Sequence, residues 1–276
     1  MDEVSHKTER IVNYVSAGLD AGLDSTQDEA MIRRVLASLG AFGPEYLPDR
    51  FELTLVDTTR FEPVGGQVKP LNSDTVGDLA MALQTEQPGH ALISKGSPAS
   101  SSLMLSTRNK QFRAIRHDIV GFSVWRELAK TPPGRTRFLR ASKAVFEACG
   151  AFFGDIGTPQ LVLIGPPERG GQVVFGDHER GMPPPGWGML LGREYVELLG
   201  IDRVRTAPCE VVEEFGDGHY LLLLDEDFLT LELDRDLLEV SRKELVDHFG
   251  PQYFSYVEKG PKKMVLPRFR EPERAV

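Results

Sequence analysis

Two cysteines, Cys149 and Cys209, are all that the 276 residues contain, and neither has a neighbour at CxxC or metal-ligand spacing. A disulfide-rich scaffold and a cysteine-ligated zinc centre are thereby excluded. Two buried, reduced thiols are expected instead, Cys149 on an apolar helix face and Cys209 at the start of a strand. No apolar run approaches the roughly 20 residues that a bilayer-crossing helix needs. The stretch Met1–Arg10 is charged and lacks the apolar core of a secretory signal. The expectation is a soluble, cytoplasmic protein that engages no membrane.

Catalytic motifs are equally scarce. No GxSxG elbow occurs, and the nearest string, Gly121-Phe122-Ser123-Val124-Trp125, lacks the second glycine. The string Gly165-Pro166-Pro167-Glu168-Arg169-Gly170-Gly171 lacks the Lys-Ser/Thr pair of a phosphate loop. Six histidines are scattered, and no two lie four apart, so a helical zinc pair is absent. His117-Asp118 and His178-Glu179 are neighbours in sequence, but adjacent strand residues point to opposite faces. Gly176–Gly181 reads as a polar loop tip. Asp225-Glu226-Asp227 fails the calcium-loop pattern, with Thr230 at the sixth position and Asp236 at the twelfth. The expectation is no enzyme, no cofactor and no metal. The alternative is a hydrolase whose histidine and carboxylates, His117 or His178 among them, meet only in the fold.

What is present is charge, unevenly spread. The net charge is −9. Residues 201–250 hold fourteen acids against five bases, so that segment equals the whole imbalance. Residues 101–150 reverse the sign, with ten bases against Asp118, Glu127 and Glu147. Arg135, Arg137, Arg140 and Lys143 share a helix whose other side is apolar, which is ordinary amphipathicity. With a pI near 5.3 and no recognition motif, a nucleic-acid partner is not expected. Such asymmetry bears on partners and association rates.

The elements mix without regular βαβ alternation, so the fold class is α+β: a mainly antiparallel sheet flanked by helices. One domain over residues 1–276 is expected, opening with a helical segment over 1–45. The second of its two helices is capped at Ser25 and carries the stripe Met31, Ile32, Val35, Leu36 and Leu39. Strands are read near 51–55, 90–94, 103–106, 111–125 and 161–164, the last with a hairpin after it at Gly170-Gly171. Helices are read over 73–85 and after Pro132-Pro133-Gly134, where Phe138, Ala141, Val145, Cys149 and Phe152 recur. The helix over Gly188–Leu199 is closed by Gly200. Cys209–Phe215 and His219–Leu224 flank Gly216-Asp217-Gly218, a strong hairpin signal. Asp236 and Glu239 read as a capping box for the last helix.

One string rises above this background. Gly186 to Gly200 has the form GWxxxLxxxYVxxLG. It resembles the signature of the bacterial type VI secretion immunity family, with the immunity group found beside restriction-endonuclease-like toxins a close second match. The likeness spans residues 110–250. The family's Pro-x-x-Gly-Asp turn is replaced here by Asp225–Thr230. Trp187, Leu191, Tyr195 and Leu199 are read as one apolar helix face, a packing signature rather than a binding site.

The resemblance implies an immunity protein, an antidote that neutralises a type VI-secreted antibacterial toxin by protein–protein occlusion. A nuclease suits an acidic antidote, because its cleft is lined with bases. On this view Glu213, Glu214, Asp217, Asp225, Glu226 and Asp227 form the partner-binding surface. The competing view makes the same acids a solubilising surface, and a non-catalytic scaffold is a further alternative.

Overall fold

A computed structural model describes residues 14–21, 28–44, 46–57, 62–64, 68–85, 89–95, 101–106, 118–158, 181–183 and 185–254. Within them, eleven strands form one sheet. In chain order these are β1 (Tyr14–Ala21), β2 (Arg50–Asp57), β3 (Glu62–Val64), β4 (Val68–Pro70), β5 (Gly89–Lys95) and β6 (Ser101–Ser106). They continue with β7 (Asp118–Trp125), β8 (Phe153–Gly157), β9 (Gly188–Leu191), β10 (Val211–Phe215) and β11 (His219–Leu223). Their order is β10-β11-β9-β8-β1-β7-β6-β5-β2-β3, with β4 also on β2. Every strand pairing is antiparallel. The α+β expectation with an antiparallel sheet holds.

The opening helix does not. Tyr14–Ala21 is the strand that joins the two halves of the sheet, pairing with β7 on one side and β8 on the other. Its period is two: Val15, Ala17 and Leu19 are fully buried, while Ser16 and Gly18 take the other face. The helix expected next does form, as α1 (Glu29–Gly40). Its cap is Asp28, whose carboxylate accepts from the Ala30 N–H at 2.9 Å; Ser25 lies outside the described residues.

The helix α4 (Pro132–Cys149) covers the face that bears Val15, Ala17 and Leu19. It follows the single turn α3 (Arg126–Ala129). Pro132 and Pro133 do not break it but open it, behind the Thr131 cap, because the first turn needs no N–H donor. Phe138 stacks on Phe122 of β7 with ring centroids 5.7 Å apart. Each such fully buried ring contributes about 1.5–3 kcal/mol. The helix stops at Gly150 (φ 63), so Phe152 falls beyond it.

On the opposite face, β8 presents Phe153 and Asp155. Phe153 meets Tyr195 of α5 (Arg193–Leu199) at 5.4 Å. The segment expected as one helix over Gly188–Leu199 is therefore two elements, β9 and then α5. Gly192 makes the corner, where a Cβ would stand 2.7 Å from the Phe152 backbone. Gly200 ends α5 with φ 88 and ψ 125, a positive φ outside the left-handed helical well. The chain goes on through α6 (Ile201–Arg205), the β10–β11 hairpin, α7 (Phe228–Leu233) and α8 (Arg235–Phe249). The cap of α8 is Asp234, which accepts from the Leu237 N–H at 2.9 Å, so the Asp236/Glu239 box is not used. The helix α2 (Thr75–Thr85) completes the set, with the Asn72 side chain accepting from the Asp74 and Thr75 N–H groups. The strand expected over 161–164 and the hairpin at Gly170-Gly171 lie outside the described residues.

Candidate functional site

The β10–β11 hairpin is an edge of the sheet, and all six acids expected to bind a partner lie on it or leave it. Phe215 pairs with His219, which makes Gly216-Asp217-Gly218 the connecting turn. Both glycines have positive φ, 52 and 78. Glu213 and Glu214 are exposed but project to opposite faces of β10. Asp217 stands at the turn with its side chain 91% exposed. Asp225, Glu226 and Asp227 leave the far end, the length of the five-residue β11 away, about 16 Å at strand rise.

Most of these carboxylates already have partners. Glu213 pairs with Lys143 of α4 at 2.6 Å. Glu214 accepts from the Tyr220 hydroxyl at 2.7 Å and from Arg205 at 3.3 Å. Those two donors, the hydroxyl first, hold its carboxyl below the usual range. Asp217 pairs with Arg193. Asp225 accepts from the Asp227 N–H at 2.7 Å, and Asp227 caps α7 through the Leu229 N–H at 3.0 Å. Asp227 also meets Arg135 at 3.0 Å, and Glu232 takes both Arg126 and the Thr158 hydroxyl. The basic middle of the sequence and its acidic third thus fold against each other. Among the described residues, the Glu226 side chain is left without such a partner.

Behind the turn lies a cleft of about 190 Å³, lined by Phe146, Glu147, Gly150, Ala151, Arg193, Glu194, Glu197 and His219. The His219 ring packs edge-on to Phe146 at 5.4 Å and tilted to Phe215 at 5.5 Å. Burial pushes its imidazole below the ordinary range, against the pull of Glu147 and Glu194. These residues come from α4, α5 and β11, distant in sequence, so no spacing motif announces them.

No protein-family model and no curated protein matches this chain. The fold has a solved counterpart. A Pseudomonas aeruginosa type VI secretion system protein shares it, with TM-score 0.53 and 12% identity, over 84% of this chain and 74% of that one.

The Gly186–Gly200 motif is structural in its placement. Trp187, Leu191, Tyr195 and Leu199 are all buried, although Trp187 and Leu191 precede the helix. The Trp187 indole N–H donates to the Asp225 carbonyl at 2.6 Å, tying the motif to the acidic loop. Cys149 and Cys209 are free thiols, each pushed up to about 12 chiefly by burial. Such thiols make poor nucleophiles at neutral pH. Cys149 lies on the buried helix face as expected, whereas Cys209 is half-buried rather than buried and stands two residues before β10.

Three of the histidines, His6, His117 and His178, lie outside the described residues, as does most of Gly176–Gly181. Among the described residues no group of three or more His, Cys, Asp or Glu is placed to hold a metal ion. No helix there is long and apolar enough to cross a membrane.

Proposed function

We propose that the chain is a single-domain antidote that binds a type VI-secreted antibacterial toxin and blocks it by occlusion, with a nuclease as the toxin class. The likeness in fold to a type VI secretion protein carries this reading, and the Gly186–Gly200 motif supports it. The acids of the β10–β11 hairpin supply a surface for a base-lined cleft. Attraction across such a face speeds association and fades as salt shortens the Debye length to about 8 Å. Glu213, Glu214 and Asp227 serve internal pairs on less exposed side chains, so Asp217, still 91% exposed in its pair with Arg193, and Glu226, unpaired among the described residues, are the cleaner probes of the two ends. Against the toxin encoded beside this chain's gene, Asp217→Lys and Glu226→Lys should each slow association about 3- to 10-fold at low salt. The difference should close as salt rises, with dissociation little changed. An unaltered rate and salt slope in both variants, with the fold intact, would leave the acids as a solubilising surface.

The same reading makes the chain a binder without turnover. Generic ester, phosphodiester and peptide substrates should stay intact in its presence. Hydrolysis that disappears in His178→Ala would instead establish the spatially assembled hydrolase.

A further inference from the structure

We infer that the outward face of α8 is a docking surface for an amphipathic helix of a partner protein, apolar along its middle and basic on both sides of that stretch. Leu233, the last residue of α7, is 88% exposed, and Leu237 and Val240 on α8 are exposed as well. A single exposed leucine needs no explanation, but three such side chains within eight residues form a patch of the kind that marks protein contacts. The core does not call for them. The inward face of α8 is complete with Leu238, Arg242, Leu245 and Phe249, all buried. Leu237 and Val240 are three apart and share the other side of the helix.

Charge decides what can cover this face. Asp236 and Glu244 stand four residues before and four after Val240, on its side of the helix and about 12 Å apart. Neither closes an ion pair or accepts a hydrogen bond among the described residues, whereas Lys243, the base beside them, is tied to Asp247. A second copy packed here about Val240 would oppose Asp236 to Glu244 in the antiparallel arrangement and each acid to itself in the parallel one. Both arrangements repel. Phosphate-bearing surfaces, lipid or nucleic acid, are repelled likewise, and the net charge of −9 adds to the effect. A helix with lysine or arginine about two turns apart, and apolar anchors between them, complements both the patch and its flanking acids. The surface goes beyond the hairpin acids invoked above. It rests on the antidote reading only for which protein supplies the helix.

Methyl NMR on the full chain tests this without the toxin. The probe is a peptide of about 18 residues, long enough to be helical in water, with leucines at helical spacing along one face and lysines flanking them. At low salt the Leu233, Leu237 and Val240 methyl signals should shift saturably, with a Kd of about 10–100 μM. A peptide with glutamates for the lysines, and one with serines for the leucines, should leave them in place. Leu233→Gln/Val240→Gln and Asp236→Asn/Glu244→Gln, all at exposed positions, should each weaken binding at least about fivefold. Shifts confined to the β10–β11 hairpin, an equal response to either control peptide, or unchanged binding in either double variant would overturn the α8 surface. Methyl shifts that grow with protein concentration alone would make the occupant a second copy. Tighter binding by a peptide of residues 255–276, which hold six bases against three acids, would make it the chain's own C-terminal segment. Either result overturns the partner helix. If the lysine peptide binds here and the toxin encoded beside this chain's gene does not bind, the surface stands and the antidote reading falls.

Discussion

Replacing Trp187 with alanine should lower stability by about 3–5 kcal/mol, the usual cost of emptying a buried tryptophan site. The indole is 0% exposed and packs against Phe228 of α7 at 5.3 Å. Its N–H is also the donor for the part-buried Asp225 carbonyl, so truncation also takes that acceptor's partner away. The two effects overlap, and their joint result should appear as a melting point lower by roughly 10 °C in a chain of this size. Trp187→Phe separates them, since it keeps most of the apolar volume and loses the donor; it should recover more than half of the loss. The fraction that remains folded should still bind its partner, because the indole is not at the surface. A Trp187→Ala variant that kept its melting point and lost the partner would make the motif a contact site.

That placement also shows how the sequence was legible in packing and illegible in local geometry. Spacing of four between Leu191, Tyr195 and Leu199 reads as one helix face, and all three are indeed buried. Yet Leu190 and Leu191 lie in β9, where both faces of the strand are covered, and a run buried on both faces carries no period-two signal. The same cause hid β8, whose five residues are all buried. For β1 the signal was present, in the alternation Val15, Ala17, Leu19, although the sequence reading placed this stretch in a helical segment over 1–45. The hairpin at Gly216-Asp217-Gly218 was read correctly because its turn chemistry is local. The cleft could not be read at all, for it is assembled from three elements and no one of them marks it. Charge counts by segment likewise conceal pairing. The excess of bases over 101–150 and of acids over 201–250 is real, but Arg126, Arg135 and Lys143 spend part of it on Glu232, Asp227 and Glu213.

Asp155 should make stability fall between pH 4 and pH 7, opposite to the usual behaviour of a paired carboxylate. It lies on β8 with 7% exposure, and its side chain accepts from the Gly186 N–H at 3.1 Å. Burial raises its carboxyl from 3.8 to about 7, more than the Gly186 bond and the nearby Arg242 guanidinium pull it down. The folded state therefore holds this proton more tightly than the unfolded chain. The contribution is fully present below pH 3.8 and is lost as pH rises through 7. Three pKa units correspond to about 4 kcal/mol at most. Arg242 bounds the effect, since it is itself 5% exposed and donates to the Pro185 carbonyl at 2.7 Å and to Glu239 at 2.8 Å. Asp155→Asn keeps an oxygen for Gly186 and cannot ionise. Urea unfolding at pH 5 and pH 8 should show the variant gaining on the wild type by a few kcal/mol as pH rises, because only the wild type must bury a charge. Curves that run parallel over that range would mean that Asp155 is already ionised in the fold and bound to Arg242. In that case removing the charge would strand the guanidinium, and the variant would be the weaker protein at both pH values.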